Sequence, residues 1–302
     1  MLASAVFPSA CALCAAPLLH LSRAPICATC WLDLPPQSGP LCLCCGEALG
    51  AHAFAGADRA PGDWLCRPCR VAPPHFERAI SPGLYDGTLR ALLHLLKYQR
   101  VEPIAHTLGA HLAAVVAELP ALPTALTVVP VPLYRAKQRQ RGYNQAELLA
   151  RALVRAGRAR GLAWTLDTAH LRRLRPTVSQ AGLNPRQRRD NMRGAFAVTG
   201  SAARHNARHA PPAGPLAGHD ILLIDDIYTT GATARAASHA LREGGVRSVW
   251  VATAARAQPL HALPLLHLPM EQDVAFWAAP AASSANPGLP AAPRQPPVRR
   301  RS

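Results

Sequence analysis

The stretch Ile221-Leu222-Leu223-Ile224-Asp225-Asp226-Ile227-Tyr228-Thr229-Thr230-Gly231-Ala232-Thr233 decides how the chain is read. Four consecutive apolar residues bounded by carboxylates predict a strand buried on both faces, because a parallel strand sandwiched between helices need not alternate. Thr229, Thr230, Gly231 and Thr233 follow within a few residues, and Ala232 to Leu241 carries helix formers without a proline. The order is strand, small polar loop, helix. Unpaired amides at a helix start and the positive end of its dipole hold an anion; small hydroxyls add donors, and Gly231 lets the backbone come close. Asp225 and Asp226 would repel that anion. They suit two neighbouring hydroxyls, such as those of a ribose, which donate charge-assisted hydrogen bonds to carboxylates. The ligand this stretch predicts is a phosphorylated sugar.

DDIYTTGAT after an apolar strand resembles the phosphoribosyl-diphosphate (PRPP) motif of type I phosphoribosyltransferases. A Walker B strand also ends in carboxylates, but it needs a G-x-x-x-x-G-K-[ST] loop elsewhere, and the chain has no Gly-Lys pair. An ordinary strand-loop-helix corner of an α/β domain is the competing structural reading.

At 302 residues the chain has room for a core domain of about 150 to 200 residues plus one smaller module. No run of about 18 apolar residues occurs, which argues against membrane insertion. Met1 to Ala10 lacks the basic start of a secretory signal, so a cytoplasmic protein is expected. The net charge is +16, from 33 Lys and Arg against 17 Asp and Glu, and Lys97 and Lys137 are the two lysines. Arg135 to Arg193 alone holds fifteen of these cations against three acids, leaving +12 in one segment. A codon bias would scatter arginines evenly; this clustering indicates a polyanionic ligand or nucleic acid.

All nine cysteines lie in the first seventy residues, eight of them as CxxC pairs: Cys11/Cys14, Cys27/Cys30, Cys42/Cys45 and Cys66/Cys69, with Cys44 left over. Two thiolates separated by two residues grip one metal from a tight turn, and two such knuckles complete a tetrahedral zinc site. Eight ligands predict two structural Zn²⁺ ions. Sequential pairing gives Cys11, Cys14, Cys27 and Cys30 to one ion and Cys42, Cys45, Cys66 and Cys69 to the other, while an interleaved arrangement stays open. With few aliphatic residues between the pairs, metal binding should supply the folding energy of residues 1–72. Residues 51–63, rich in Ala and Gly, read as a tolerated loop.

Pro73-Pro74 then leads into a second domain, 76–256. Leu89, Leu92, Leu93 and Leu96 fall on one face of a helix ending near Lys97-Tyr98, and Ile104 to Leu119 predicts another. Thr127 to Leu133 is a β-branched strand leading into a cationic loop with Arg135, Lys137, Arg139 and Arg141 before Gly142-Tyr143-Asn144. Asn144 with Glu147 has capping-box character, and Leu148, Leu149, Ala152 and Leu153 form the stripe of the next helix. In open α/β sheets ligands gather at such carboxyl ends of strands. Short strands are expected at 170–174, 195–198 and 246–253. Arg175 to Asn191, basic and without apolar periodicity, reads as a mobile lid or a nucleic-acid contact. Residues 201–215 read as a variable loop, and 257–302 as an extension without structure from about residue 280.

The whole order resembles the ComF family of competence-associated proteins, which join a double zinc ribbon to a type I phosphoribosyltransferase domain. The likeness is carried by FPSACALC, the later CxxC pairs including CLCCG, LLHLLKYQR, PVPLYRAKQRQRGYNQA, RLRPTVSQAGLNPRQRRDNMRGAF and ILLIDDIYTTGAT, from about Phe7 to Arg256. Tyr143, where the family often has another aromatic, and the extra thiol Cys44 are its small departures. The resemblance implies an α/β parallel sheet with flanking helices that binds PRPP with Mg²⁺. Asp225 and Asp226 would hold the ribose hydroxyls and the Tyr228, Thr229, Thr230, Gly231, Ala232, Thr233 loop the 5′-phosphate. Arg135, Lys137, Arg141, Asn144 and Lys97 would face the pyrophosphate, with Asp225, Asp226, Lys97 and Arg141 as catalytic residues. The acceptor and the oligomeric state are not legible. The competing expectation is a catalytically silent module that binds single-stranded DNA beside the competence machinery, although aromatics for stacking are scarce in the basic segment.

Overall fold

A computed structural model of the chain describes residues 9–18, 23–49, 64–176, 185–200 and 214–258. The expectations for residues 51–63, for most of 201–215 and for the tail beyond 258 lie outside the described residues. From the amino end, β1 (Ser9–Ala10) and β2 (Pro17–Leu18) pair antiparallel around the first cysteine knuckle, and α1 (Ala28–Leu32) and α2 (Arg67–Val71) start at Cys27 and Cys66 as N-caps. Then come β3 (Ala79–Ile80), β4 (Gly83–Leu84), α3 (Gly87–Tyr98), α4 (Ile104–Ala117), β5 (Ala125–Pro130), α5 (Arg135–Arg141), α6 (Gln145–Ala159) and β6 (Ala163–Leu166). The order closes with β7 (Leu171–Arg173), α7 (Pro185–Met192), β8 (Phe196–Val198), β9 (Asp220–Tyr228), α8 (Ala232–Glu243) and β10 (Ser248–Arg256).

The sheet runs β3-β10-β9-β5-β6, with β4 continuing beside β10, and every pairing within it is parallel. β9 sits in the middle, which is why Ile221 to Ile224 are fully buried without alternating. Its period of two still sorts the side chains. Leu222 and Ile224 pack with α3, α4 and α6; Ile221 and Leu223 pack with α8, β7 and β8 on the other face. The leucine face of α3 is buried as its spacing predicts, Leu92, Leu93 and Leu96 completely, each contributing about 1.5–3 kcal/mol by leaving water.

Two segments differ from expectation. Arg135–Arg141, expected as a loop, forms a helix ended by Gly142 at φ +89°, a left-handed stop that glycine adopts without steric cost. Within the expected lid, residues 185–192 are helical. Proline suits a first turn whose amides lack partners anyway, and buried Met192 anchors the other end. Residues 177–184 of that segment lie outside the described residues. The cysteine-rich part and the sheet pack together in one compact unit. Ala79 N–H donates to the Cys44 carbonyl at 2.7 Å, and Gln258 reaches both Gln37 and the Gly46 carbonyl.

Candidate ligand site and metal centres

The turn at the carboxyl end of β9 leads through Thr229 and Thr230 into α8. Gly231 is the N-cap of α8 at φ +74°, and no side chain caps that helix. A Cβ on Gly231 would lie 2.2 Å from the Tyr228 hydroxyl, so glycine is required twice over, for its φ and for the close approach. The Thr230 hydroxyl is buried with no hydrogen-bond partner. It lies one residue before the N-cap of α8, whose first amides no side chain caps. A small recess of about 10 Å³ beside the loop is bounded by Asp225, Thr229, Gly231, Thr233 and Thr253.

The two aspartates part company. Asp226 points into the helix layer formed by α3 and α6, where Lys97 Nζ lies 3.0 Å from its Oδ1 and Gln145 Nε2 donates to its Oδ2 at 2.6 Å. Gln145 in turn accepts from Arg141 at 2.6 Å. Lys97, in the last turn of α3, thus meets a carboxylate some 130 residues downstream in one chain of contacts, Arg141–Gln145–Asp226–Lys97. Asp225 lies on the α8 side and lines the recess. Burial, and then the neighbouring Asp226 carboxylate, push its pKa up to about 7.

Other predicted residues take supporting places. Asn144 caps α6 by accepting from Ala146 N–H and donates to the Val131 carbonyl, so its side chain shapes the β5–α5 segment. Glu147 does not complete a capping box: it accepts from Arg151 one turn on. Tyr228 is 4% exposed and lies beneath the loop, edge-on to Phe76. Arg135 and Lys137 are exposed on α5. A cavity of about 640 Å³ opens between the β5–α5 segment and the β7–β8 hairpin, with Tyr134, Arg135, Glu147, Arg172, Arg173 and Leu174 on its walls. Gln145 and Thr253 had no signal in the sequence, since nothing local distinguishes either from an ordinary polar residue.

The cysteines form two groups, Cys11, Cys14, Cys27 and Cys30 in one and Cys42, Cys45, Cys66 and Cys69 in the other, each with its sulfurs within 4.8 Å of one another. Sequential pairing is therefore the arrangement adopted. The sulfurs of Cys14 and Cys27 are 3.6 Å apart, those of Cys11 and Cys30 3.8 Å and those of Cys45 and Cys66 3.6 Å. A tetrahedral ion with Zn–S bonds of about 2.3 Å sets its sulfurs about 3.8 Å apart, so both donor sets fit zinc. Cys44 belongs to neither set.

Residues 2–70 match the double zinc ribbon domain family. The chain is 31% identical to Competence protein F of Haemophilus influenzae over 79% of this chain and 93% of that one. It is also 31% identical to the DNA utilization protein YhgH of Salmonella typhi over 81% of this chain and 95% of the other. Among solved structures, TT1426 from Thermus thermophilus covers 51% of this chain and 81% of its own, at 20% identity and a TM-score of 0.30. Hypoxanthine-guanine phosphoribosyltransferase from Schistosoma mansoni in complex with IMP covers 52% and 65%, at 14% identity and a TM-score of 0.27. Near one-third identity along almost the whole of a relative, with two tetracysteine groups ahead of a parallel sheet, places this chain in the ComF family of competence-associated proteins.

Proposed function

We propose that the chain binds PRPP at the carboxyl end of β9 and acts as a phosphoribosyltransferase. The observation that supports this most is the buried Thr230 hydroxyl without a partner beside an uncapped helix start, next to two carboxylates. Donors of that kind call for an anion, and the carboxylates call for hydroxyls. In this reading Thr229, Thr230, Thr233 and the amides of Gly231 and Ala232 take the 5′-phosphate, which must widen the recess as it seats. Asp225 accepts one ribose hydroxyl. Asp226, held by Lys97 and Gln145, accepts the other with its remaining lone pairs.

Arg135, Lys137, Arg141 and Lys97 then face the diphosphate, at the same edge of the sheet. Breaking its bond to C1′ builds positive charge on the sugar and negative charge on the leaving oxygens. Catalysis is thus positioning plus stabilisation of both charges, the aspartates serving the first and the cations the second. Mg²⁺, arriving with PRPP, would supply further charge neutralisation at the leaving group. Among the described residues the groups able to hold a metal by themselves are the cysteine sets, so its ligands would come largely from the substrate's own oxygens. No helix among the described residues is long and apolar enough to cross a membrane, and the reading assigns the protein to the cytoplasm, where its thiols stay reduced.

The test is incubation with PRPP, Mg²⁺ and a panel of bases while following pyrophosphate release, alongside calorimetry with PRPP alone. Asp225→Ala with Asp226→Ala should cost roughly 1.5 to 3 kcal/mol of PRPP affinity per lost contact. Unchanged affinity would remove the ribose role, and absent pyrophosphate with intact affinity would leave a binding module.

A second reading, contact with single-stranded DNA, is favoured by one surface feature. Tyr98 is 64% exposed, its ring 4.7 Å from that of His94 and covered by the Arg141 guanidinium at 5.5 Å. The fold thereby brings an aromatic from outside the basic segment onto it, giving a base a face to stack on among phosphate-binding cations. Binding to an oligothymidylate should fall steeply with salt and drop by about 1–3 kcal/mol in Tyr98→Ala. Salt-insensitive binding, or none, would end this reading.

A further inference from the structure

Among the described residues, two arginines wire the second cysteine group to the loop ahead of α8, and none does so for the first. Arg256, the last residue of β10, is 1% exposed. Its Nη2 lies 3.6 Å from Cys45 Sγ and 3.2 Å from Glu47 Oε2, while its guanidinium stacks at 4.5 Å over the Tyr228 ring. Its Nε and Nη1 are buried without a hydrogen-bond partner. Arg235, in the first turn of α8, donates from Nη2 to Cys69 Sγ at 3.5 Å and from Nη1 to the Ala72 carbonyl at 2.5 Å. The Tyr228 hydroxyl fills the space under Gly231, the N-cap of that same helix. Sulfur, guanidinium, ring and loop glycine form one continuous stack.

Charge explains the arrangement. One carboxylate is a poor return for a guanidinium taken wholly out of water, because desolvating a cation costs several kcal/mol. Four thiolates around a divalent zinc carry a formal charge of −2, and two guanidinium groups bring +2. Around Cys11, Cys14, Cys27 and Cys30 the sulfur contacts seen among the described residues are with one another and with backbone amides, those of Cys27 and Cys30 among them.

We infer that Arg235 and Arg256 are positioning residues which neutralise the metal-bound thiolates of the second group and so tie its zinc to the shape of the phosphate loop. They act through Tyr228 and the first turn of α8 and touch no substrate. Without zinc the four sulfurs lose their fixed geometry, both guanidinium groups lose the sulfur cluster they pack against, and Arg256 must move or hydrate. Tyr228 and Gly231 then lose their backing. The inference requires zinc in the second group but holds whatever anion the loop receives, so it stands or falls separately from PRPP binding.

The experiment uses the full zinc-loaded chain. Metal transfer to a colorimetric chelator is timed while alkylation and mass spectrometry report which cysteines become free, and hydrogen exchange is followed at residues 228–235. Arg256→Met and Arg235→Met should speed zinc loss from Cys42, Cys45, Cys66 and Cys69 by about 10-fold or more, as loss of a partner to a ligand does. Loss from the first group should stay unchanged, and exchange at 228–235 should rise in step. Arg256→Lys, which keeps the charge, should fall between. Wild-type protein stripped of the second zinc should show the same raised exchange. Zinc loss within about twofold of wild type, or faster loss with the loop's exchange unmoved, would overturn the inference. Arg235 lies nearer the surface, so Arg235→Met carries the test alone if Arg256→Met does not fold.

Discussion

The two cysteine groups have the same ligands in the same CxxC pairs, with twelve residues between the pairs in the first and twenty in the second, yet they occupy unlike surroundings. In the first, Cys14 is exposed and Cys27 and Cys30 are half-buried; in the second, all four ligands are buried. The first packs with α3, α4 and α6, the layer that holds Asp226 and Lys97, whereas the second packs with α8 under the Thr229–Thr233 loop, on the side of Asp225. A metal at the rim closes a knuckle. A metal in the core takes part in the packing of everything around it, because close-packed interiors transmit displacement.

The largest expected difference is between Cys45→Ser and Cys14→Ser. Each should cost one of the two metal sites, but Cys45→Ser should also cost upwards of about 4 kcal/mol of stability, the range for losing a buried metal ligand. Cys14→Ser should leave loop exchange and ligand affinity near wild type. Zinc analysis with thermal unfolding checks both, and equal losses would erase the distinction drawn above.

A smaller effect is expected at Gly231, where an alanine would face both an unfavourable φ of +74° and the Tyr228 hydroxyl at 2.2 Å. Strain at such positions costs of order 1–3 kcal/mol. Gly231→Ala should weaken PRPP binding by about that amount while both zincs stay bound, sharpening the case that coupling runs from metal to loop through Tyr228. Loss of the second zinc in Gly231→Ala would show coupling in the reverse direction as well.

The smallest effect concerns pH and the α8 side of the sheet. Asp225 is raised to about 7 by burial and by Asp226, so its ionised form is disfavoured in the ligand-free fold. The resulting cost to stability grows as pH rises from the ordinary carboxylate range, near about 4, and is complete above about 7. A ribose hydroxyl favours the ionised form. PRPP affinity should therefore improve as pH rises towards 7 and level off beyond it, with a proton released on binding below that pH. Calorimetry in two buffers of different ionisation enthalpy reads both. Proton uptake instead would place the titrating group on the other partner.

Composition and spacing were enough for the eight metal ligands, for the buried strand and for the helix face of Leu89, Leu92, Leu93 and Leu96, because each is a local pattern with one economical solution. The same local reading took Arg135–Arg141 for a loop, since a run of cations has no apolar stripe; its helix is settled by Gly142 and by its junction with α6. Asp225 and Asp226 read as a twin because they adjoin in sequence. In the sheet they serve opposite layers, and no sequence pattern connects Asp226 with Lys97 and Gln145.

The sequence by itself determined which chemistry is present: eight thiols in two tetracysteine groups, hydroxyls and a glycine ahead of a helix, carboxylates at the end of a buried strand. Tertiary structure alone decided which of these work together. Arg256 meets Cys45 from 211 positions away, and Tyr228 packs between Arg256 and Gly231. Those outcomes follow from where β10 and the cysteine knuckles come to lie against β9, and contacts across such distances in the chain are selected by burial and charge compensation in the folded core rather than by any neighbour in sequence.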